Sequence, residues 1–306
     1  MSLRDWQYSK FYVKTNYRKI NSGKHFYNVL HLSKAKGIDI KMKILRIYLI
    51  FLKNCLQKEL HYRFNFFVGL LTIFTGYFSN ILFFYFIYDT GIENISGWTK
   101  YHIYILLATI WIVDSIFGGV FFFNLIKIPK LVKGYDLDYI LLKPVNTIFL
   151  LTTRNFNFGL FSGVFFGVGL LIYSLLRMSI SVNVYNIVFF IISVFLAVII
   201  LFSILFIMVT FSLKFVRING LIQMFWTMMD LGKQPSSVYP CVLRIILISV
   251  IPALIVYNFP IQFLLKSINP LNIHLSIVFC INLAVTILIF TYSIRFFYKS
   301  IKNYYN

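Results

Sequence analysis

Residues 182–213, VNVYNIVFFIISVFLAVIILFSILFIMVTFSL, hold no Lys, Arg, Asp or Glu. About 20 apolar residues suffice for a helix to cross the hydrocarbon of a bilayer. This run exceeds that, so it predicts a membrane-spanning helix that tilts or protrudes. Its apolar residues are continuous and do not alternate with polar ones, which argues against a strand of a membrane barrel. The composition agrees: 59% of the 306 residues are hydrophobic and 12% charged, against about 25% charged in a soluble domain.

Five further apolar runs flank it, at 64–88, 101–126, 155–176, 245–265 and 271–294. The fold class is therefore an all-α integral membrane protein with six transmembrane helices. The run 218–229 is apolar but too short to cross, and reads as an interfacial helix on the cytoplasmic side. Orientation follows from the basic residues. Fourteen Lys/Arg precede the first span, five lie between the second and third, four between the fourth and fifth, and three follow the sixth. Only Lys100, Arg177 and Lys266 fall on the other side. That bias places both termini in the cytoplasm. The net charge of +20 is thus a topology and lipid-contact signal, and no nucleic-acid partner is expected.

Residues 1–40 form a basic cytoplasmic extension, partly disordered or lying on anionic lipid. From 41 to 63 Leu45, Leu49, Leu52 and Leu56 repeat at three and four. With the charges between them, up to Glu59, they describe an amphipathic helix in the interface plane. The six-helix domain occupies 64–300 and a short cytoplasmic tail 301–306. Between the second and third spans lies LIKIPKLVKGYDLDYILLKPVN, residues 125–146. Within this loop (126–146) Leu137, Ile140 and Leu141 fall at i, i+3 and i+4 on one face of a short helix, while Asp136, Asp138 and Lys143 point elsewhere. Pro144 ends that helix, since it has no amide hydrogen to donate. A short helix on such a loop suits the receiving of force from a partner.

Residues that would carry chemistry are few. No GxxxxGK[ST] loop is present, so the chain has no ATPase motif of its own. Cys55, Cys241 and Cys280 have no metal-ligand spacing, the histidines form no HExxH, and no metal or catalytic site is expected. Asp114 is the one acid inside a span. It is a translocation-pathway candidate together with Asn80, or it pairs with a nearby polar group or sits neutral in a helix interface. Gly159, Gly163 and Gly167 recur every four residues, a smooth stripe for close helix packing, within the subunit or between subunits. Pro252 and Pro260 interrupt the fifth run, which either kinks or dips back as an outer re-entrant segment.

Three stretches together carry a family resemblance: Lys58–Phe66, KELHYRFNF; Leu137–Asn146, LDYILLKPVN, close to an LDxxLLxPVN pattern; and Ser237-Val238-Tyr239-Pro240 leading through Arg244 to Pro252 and Pro260. Over residues 42–300 the chain resembles the ABC-2-type transporter permeases, in particular the six-span viologen and multidrug exporter branch. It departs in having Tyr135, with Gly134 one place earlier, where a glycine is expected three positions before Asp138. The resemblance implies a membrane half-transporter that pairs with a second permease, identical or related. Two copies of a nucleotide-binding ATPase subunit would carry ATP and Mg, while this chain binds no cofactor. A coupling helix at Leu131–Leu142 would seat in the ATPase, flanked by the interfacial helix at 41–63. The function so implied is export of an amphiphilic or hydrophobic substrate across the plasma membrane. The alternatives are a proton-coupled secondary transporter using Asp114, and a non-transporting scaffold or sensor subunit.

Overall fold

The computed structural model describes residues 40–134, 136–143, 145–178, 183–214, 219–249, 251–265 and 275–304. The expected extension 1–39 and the helix-ending Pro144 lie outside the described residues. Those residues are helical throughout apart from turns and one isolated bridge, Ile95 with Trp98.

Among the described residues the first two helices are α1 (Ile40–His61) and α2 (Arg63–Asp89). Next comes α3 (Lys100–Phe117), which continues through a π-helical turn, Gly118–Phe122, to Leu125. The loop contributes α4 (Ile128–Lys133), α5 (Asp136–Leu141) and α6 (Thr147–Thr153). A short α7 (Phe158–Phe161) leads into α8 (Gly163–Met178), followed by α9 (Val184–Thr210). The remaining helices are α10 (Asn219–Gly232), α11 (Cys241–Ser249), α12 (Ala253–Tyr257), α13 (Phe259–Leu264) and α14 (Leu275–Tyr304).

Among the described residues, five stretches are long and apolar enough to cross a membrane: Arg63–Asp89, Lys100–Lys133, Phe158–Met178, Val184–Leu213 and Leu275–Lys302. Each overlaps an expected span. The expected fifth span, 245–265, is not one helix. It is divided among α11, α12 and α13, none of which approaches the length needed to cross. The cause is local, because Pro252 precedes the first residue of α12 and Pro260 sits in the first turn of α13. Proline is welcome at a helix start and excluded from its interior, so two prolines eight residues apart start two helices.

α3 is the axis of the bundle. Its sequence is apolar on all sides, which suits a helix surrounded by protein, and 72% of its most apolar window is buried, against none for α2. α8 packs along it, α9 lies against α14, and α12 and α13 fill the space between α9 and α3. The close approach of α8 rests on two glycines. A Cβ at Gly163 would collide with Ser115 and Tyr77, and one at Gly167 would lie 2.6 Å from Ile112 Cγ1. Gly159 falls on α7 instead, facing Phe66 of α2. The expected stripe is thus divided between two helices, because the chain turns at Ser162.

Candidate functional site

Asp114 lies well inside α3, and its two carboxylate oxygens are both engaged. Lys233 Nζ lies 3.0 Å from Oδ2, and the Tyr257 hydroxyl donates to Oδ1 at 2.7 Å. Lys233 also holds Asp230 at 2.9 Å and lies over the rings of Trp226 and Tyr257. On the adjoining turn of α3, Ser115 shares a hydrogen bond with Tyr77 of α2 at 3.1 Å, and Tyr77 stacks on Trp111 at 4.2 Å. Asp114 is thus paired with polar groups of the same chain.

Lys233, expected in the cytoplasmic loop between the fourth and fifth spans, pairs with Asp114 of α3. The reason is the course of α10. Trp226 packs on Phe122 at 5.1 Å and Phe225 on Phe117 at 5.9 Å, and Lys233 then reaches Asp114. α10 therefore meets α3 through these three side chains, and its Phe225 and Met229 are fully buried. One face of the helix is packed, while Met224 and Leu231 on the other are exposed.

A helix that ends among packed side chains must find partners for its last carbonyls. Asn258, between α12 and α13 and 2% exposed, supplies them. Its Nδ2 donates to the carbonyls of Gly232 at 2.8 Å and Gln234 at 3.1 Å, and its Oδ1 accepts from the Ser236 amide at 3.0 Å. Gly232 has no side chain because a Cβ there would collide with the Ala253 carbonyl. The lysine at this end also complements the helix dipole. α10 and the buried segment 253–265 thus meet end to end at Asp114. The far end of that segment packs at the N-terminal ends of α9 and α14, through Phe263 with Phe189 and Phe279. No sequence pattern linked positions 114, 233, 257 and 258. The one available signal was that Lys233 and Asn258 each adjoin a glycine or proline break in an apolar stretch.

The loop helix α5 forms where the periodicity placed it, but its apolar face is already occupied. Leu137 is 0% exposed, Ile140 7% and Leu141 8%, packed with α4 and α6 of the same chain, and Leu131 is half-buried against the same core. The outward face carries Asp136, Tyr139, Leu142 and Lys143, with Tyr139 64% exposed; Asp138 is intermediate. Asn146 has a structural task that the sequence reading missed. Its Oδ1 caps α6 by accepting from the amides of Ile148 at 2.9 Å and Phe149 at 3.2 Å.

In α1, Leu45, Leu49 and Leu56 are exposed while Leu52 is half-buried. The inward face is held by Cys55, whose Sγ accepts from the Phe156 amide at 3.3 Å, and by Glu59, whose Oε1 accepts from the Phe158 amide at 3.0 Å. Glu59 thereby ties α1 to the start of α7. Asn80 does not join Asp114; its Nδ2 donates to the Gly76 carbonyl of its own helix, at an exposed position.

A bundle of long apolar helices around an axial helix, with a broken segment and an ion pair inside it, has the make-up of a polytopic membrane protein. A family model described as ABC-2 family transporter protein matches residues 71–306, and the chain belongs to that family. Permeases of this family are membrane subunits that work with an ATPase subunit. No curated protein and no solved structure matches the chain.

Proposed function

We propose that this chain is the membrane-spanning permease subunit of an ATP-driven exporter in the plasma membrane. It moves an amphiphilic or hydrophobic substrate, and it pairs with a second permease and two copies of a separate ATPase that hold ATP and Mg. The family match over residues 71–306 carries this reading. The five long stretches together with α10 and 253–265, taken as one composite crossing, amount to six, which keeps both termini in the cytoplasm. Each half is too short alone, since 14 residues of helix reach about 21 Å against about 30 Å of hydrocarbon.

The contact with the ATPase is made by the outward face of α5, through Asp136, Tyr139, Leu142 and Lys143. A large exposed aromatic ringed by charges is the residue type that anchors protein interfaces. Leu137, Ile140 and Leu141 act from behind by fixing α5 to α4 and α6, so that a push on Tyr139 moves the end of α3. The proton-coupled alternative, with Asp114 as the proton carrier, is disfavoured because Lys233 balances the charge of Asp114 within the fold. The exposed leucines of α1 lie in the membrane interface.

Liposomes reconstituted with and without the ATPase test the proposal. Transport is expected only with the ATPase and ATP, and transport by the lone chain under an ion gradient would reject it.

A further inference from the structure

A cavity of about 550 Å3 opens between the α1–α2 corner and the segment around α7, away from the Asp114 cluster. Its lining includes the polar Lys58, Glu59, Lys127 and Asn155 and, along α2 and α7, the apolar Phe66, Ile73 and Leu160. Glu59 offers a buried acceptor with nothing to accept: Oε1 is taken by the Phe158 amide, and Oε2 has no hydrogen-bond partner. The two lysines show the opposite deficit. Neither has a carboxylate within 4 Å among the described residues, and Lys127 feels the like charges of Lys58 and Arg154.

An occupant must therefore bring an N–H donor to Glu59 and an anion to the lysines, and must continue into an apolar tail. A simple anion would leave Oε2 without a donor, and a simple cation would meet two lysines. A quaternary ammonium has no N–H to give. We propose that this cavity binds a phosphate that carries a primary amine, the phosphoethanolamine type of headgroup. Its ammonium sits on Glu59, its phosphate lies between Lys58 and Lys127, and its acyl chains run along the apolar lining towards the exposed Phe67 and Leu71 of α2. Charge-assisted pairs of this kind are the stronger hydrogen bonds. Burial also pushes the Glu59 carboxyl above its ordinary value, a cost that an ammonium partner offsets. The proposal does not depend on the direction or energy source of transport.

The test uses the full-length protein in detergent, with lipid retention read by native mass spectrometry. Phosphatidylethanolamine and phosphatidylcholine of identical chains are compared, with soluble phosphoethanolamine as competitor. Retention of the primary-amine lipid is expected to exceed that of the choline lipid about tenfold, the worth of one hydrogen bond to a charged group. Glu59→Gln, which keeps an oxygen for the Phe158 amide, is expected to erase most of that preference. Lys127→Met is expected to weaken both lipids. Displacement by soluble phosphoethanolamine would assign the recognition to the headgroup alone, and failure to displace would assign it to headgroup and chain together; either supports the site. Equal retention of the two lipids by the wild-type protein overturns it, as does a preference unchanged in both variants.

Discussion

The ammonium of Lys233 lies 3.0 Å from the Oδ2 of Asp114, joining the end of α10 to the interior of α3. Charge in a bundle core is tolerated when it is paired and hydrogen-bonded, and removing one partner costs more than removing both. Lys233 keeps Asp230 as a second partner, so Asp114→Asn should destabilise by about 1–2 kcal/mol, and Lys233→Met, which leaves Asp114 without a counter-charge and with only the Tyr257 hydroxyl, by about 3 kcal/mol. The double variant should lose less than the sum by at least about 1 kcal/mol. Additive losses in thermal unfolding of the purified subunit would show that the pair carries no coupling.

The loop helix separates two tasks. Leu137→Asp places a charge at a fully buried position and is expected to cost about 4 kcal/mol or more, lowering the yield of folded subunit. Tyr139→Ala, on the outward face, should leave unfolding within about 0.5 kcal/mol of wild type while weakening ATPase capture about tenfold or more. Co-purification of the two subunits reads the second effect. Unchanged capture with Tyr139→Ala would remove α5 as the contact.

How far the sequence carried depends on the kind of information each element needed. The uninterrupted runs behind α2, α3, α8, α9 and α14 were legible, because length and apolarity alone specify a buried or lipid-facing helix. The spacing of Leu137, Ile140 and Leu141 named the residues sharing a face, but periodicity does not say what covers that face, and here it is the same chain. The run 245–265 was long enough in composition, yet Pro252 and Pro260 broke it into pieces whose closing hydrogen bonds come from Asn258 and the distant Gly232. Such a junction is set by tertiary contact between residues far apart in the chain, so no local pattern announces it.

Asn258 should be among the least replaceable residues of the bundle. Asn258→Leu strands the carbonyls of Gly232 and Gln234 and the amide of Ser236 at once, and a loss of about 3 kcal/mol or more is expected. Asn258→Asp keeps the acceptor for Ser236 and loses both donors, so it should not rescue. A tolerated Asn258→Leu, judged by thermal midpoint, would mean that water fills the junction.

The glycines divide sharply. Gly167→Leu drives a side chain into Ile112 and the Ala108 carbonyl, forcing α8 away from α3, with an expected loss of about 3 kcal/mol. Gly76→Ala in α2 meets nothing within 4 Å and should be neutral or stabilising by up to about 1 kcal/mol through helix propensity. If Gly76→Ala instead abolishes assembly with a second permease while the monomer stays folded, the α2 face is the subunit interface.

Glu59 sets a pH dependence whose sign can be worked out. Burial raises its carboxyl above the ordinary 4.5, and the Phe158 amide and Lys58 oppose this more weakly. Lys127 lines the same cavity. With the raised value the folded protein holds the proton more tightly than the unfolded chain does. The contribution to stability is therefore greatest below pH 4.5 and declines as pH rises through the raised value. Relative to Glu59→Gln, the wild-type protein should lose thermal stability over that interval, and amide exchange at Phe158 should report the same loss locally. A primary-amine lipid should flatten the slope by giving the carboxylate an ammonium partner, whereas a choline lipid should not. A wild-type slope that Glu59→Gln leaves intact would assign the dependence to another group and remove the main electrostatic reason for an amine at this cavity.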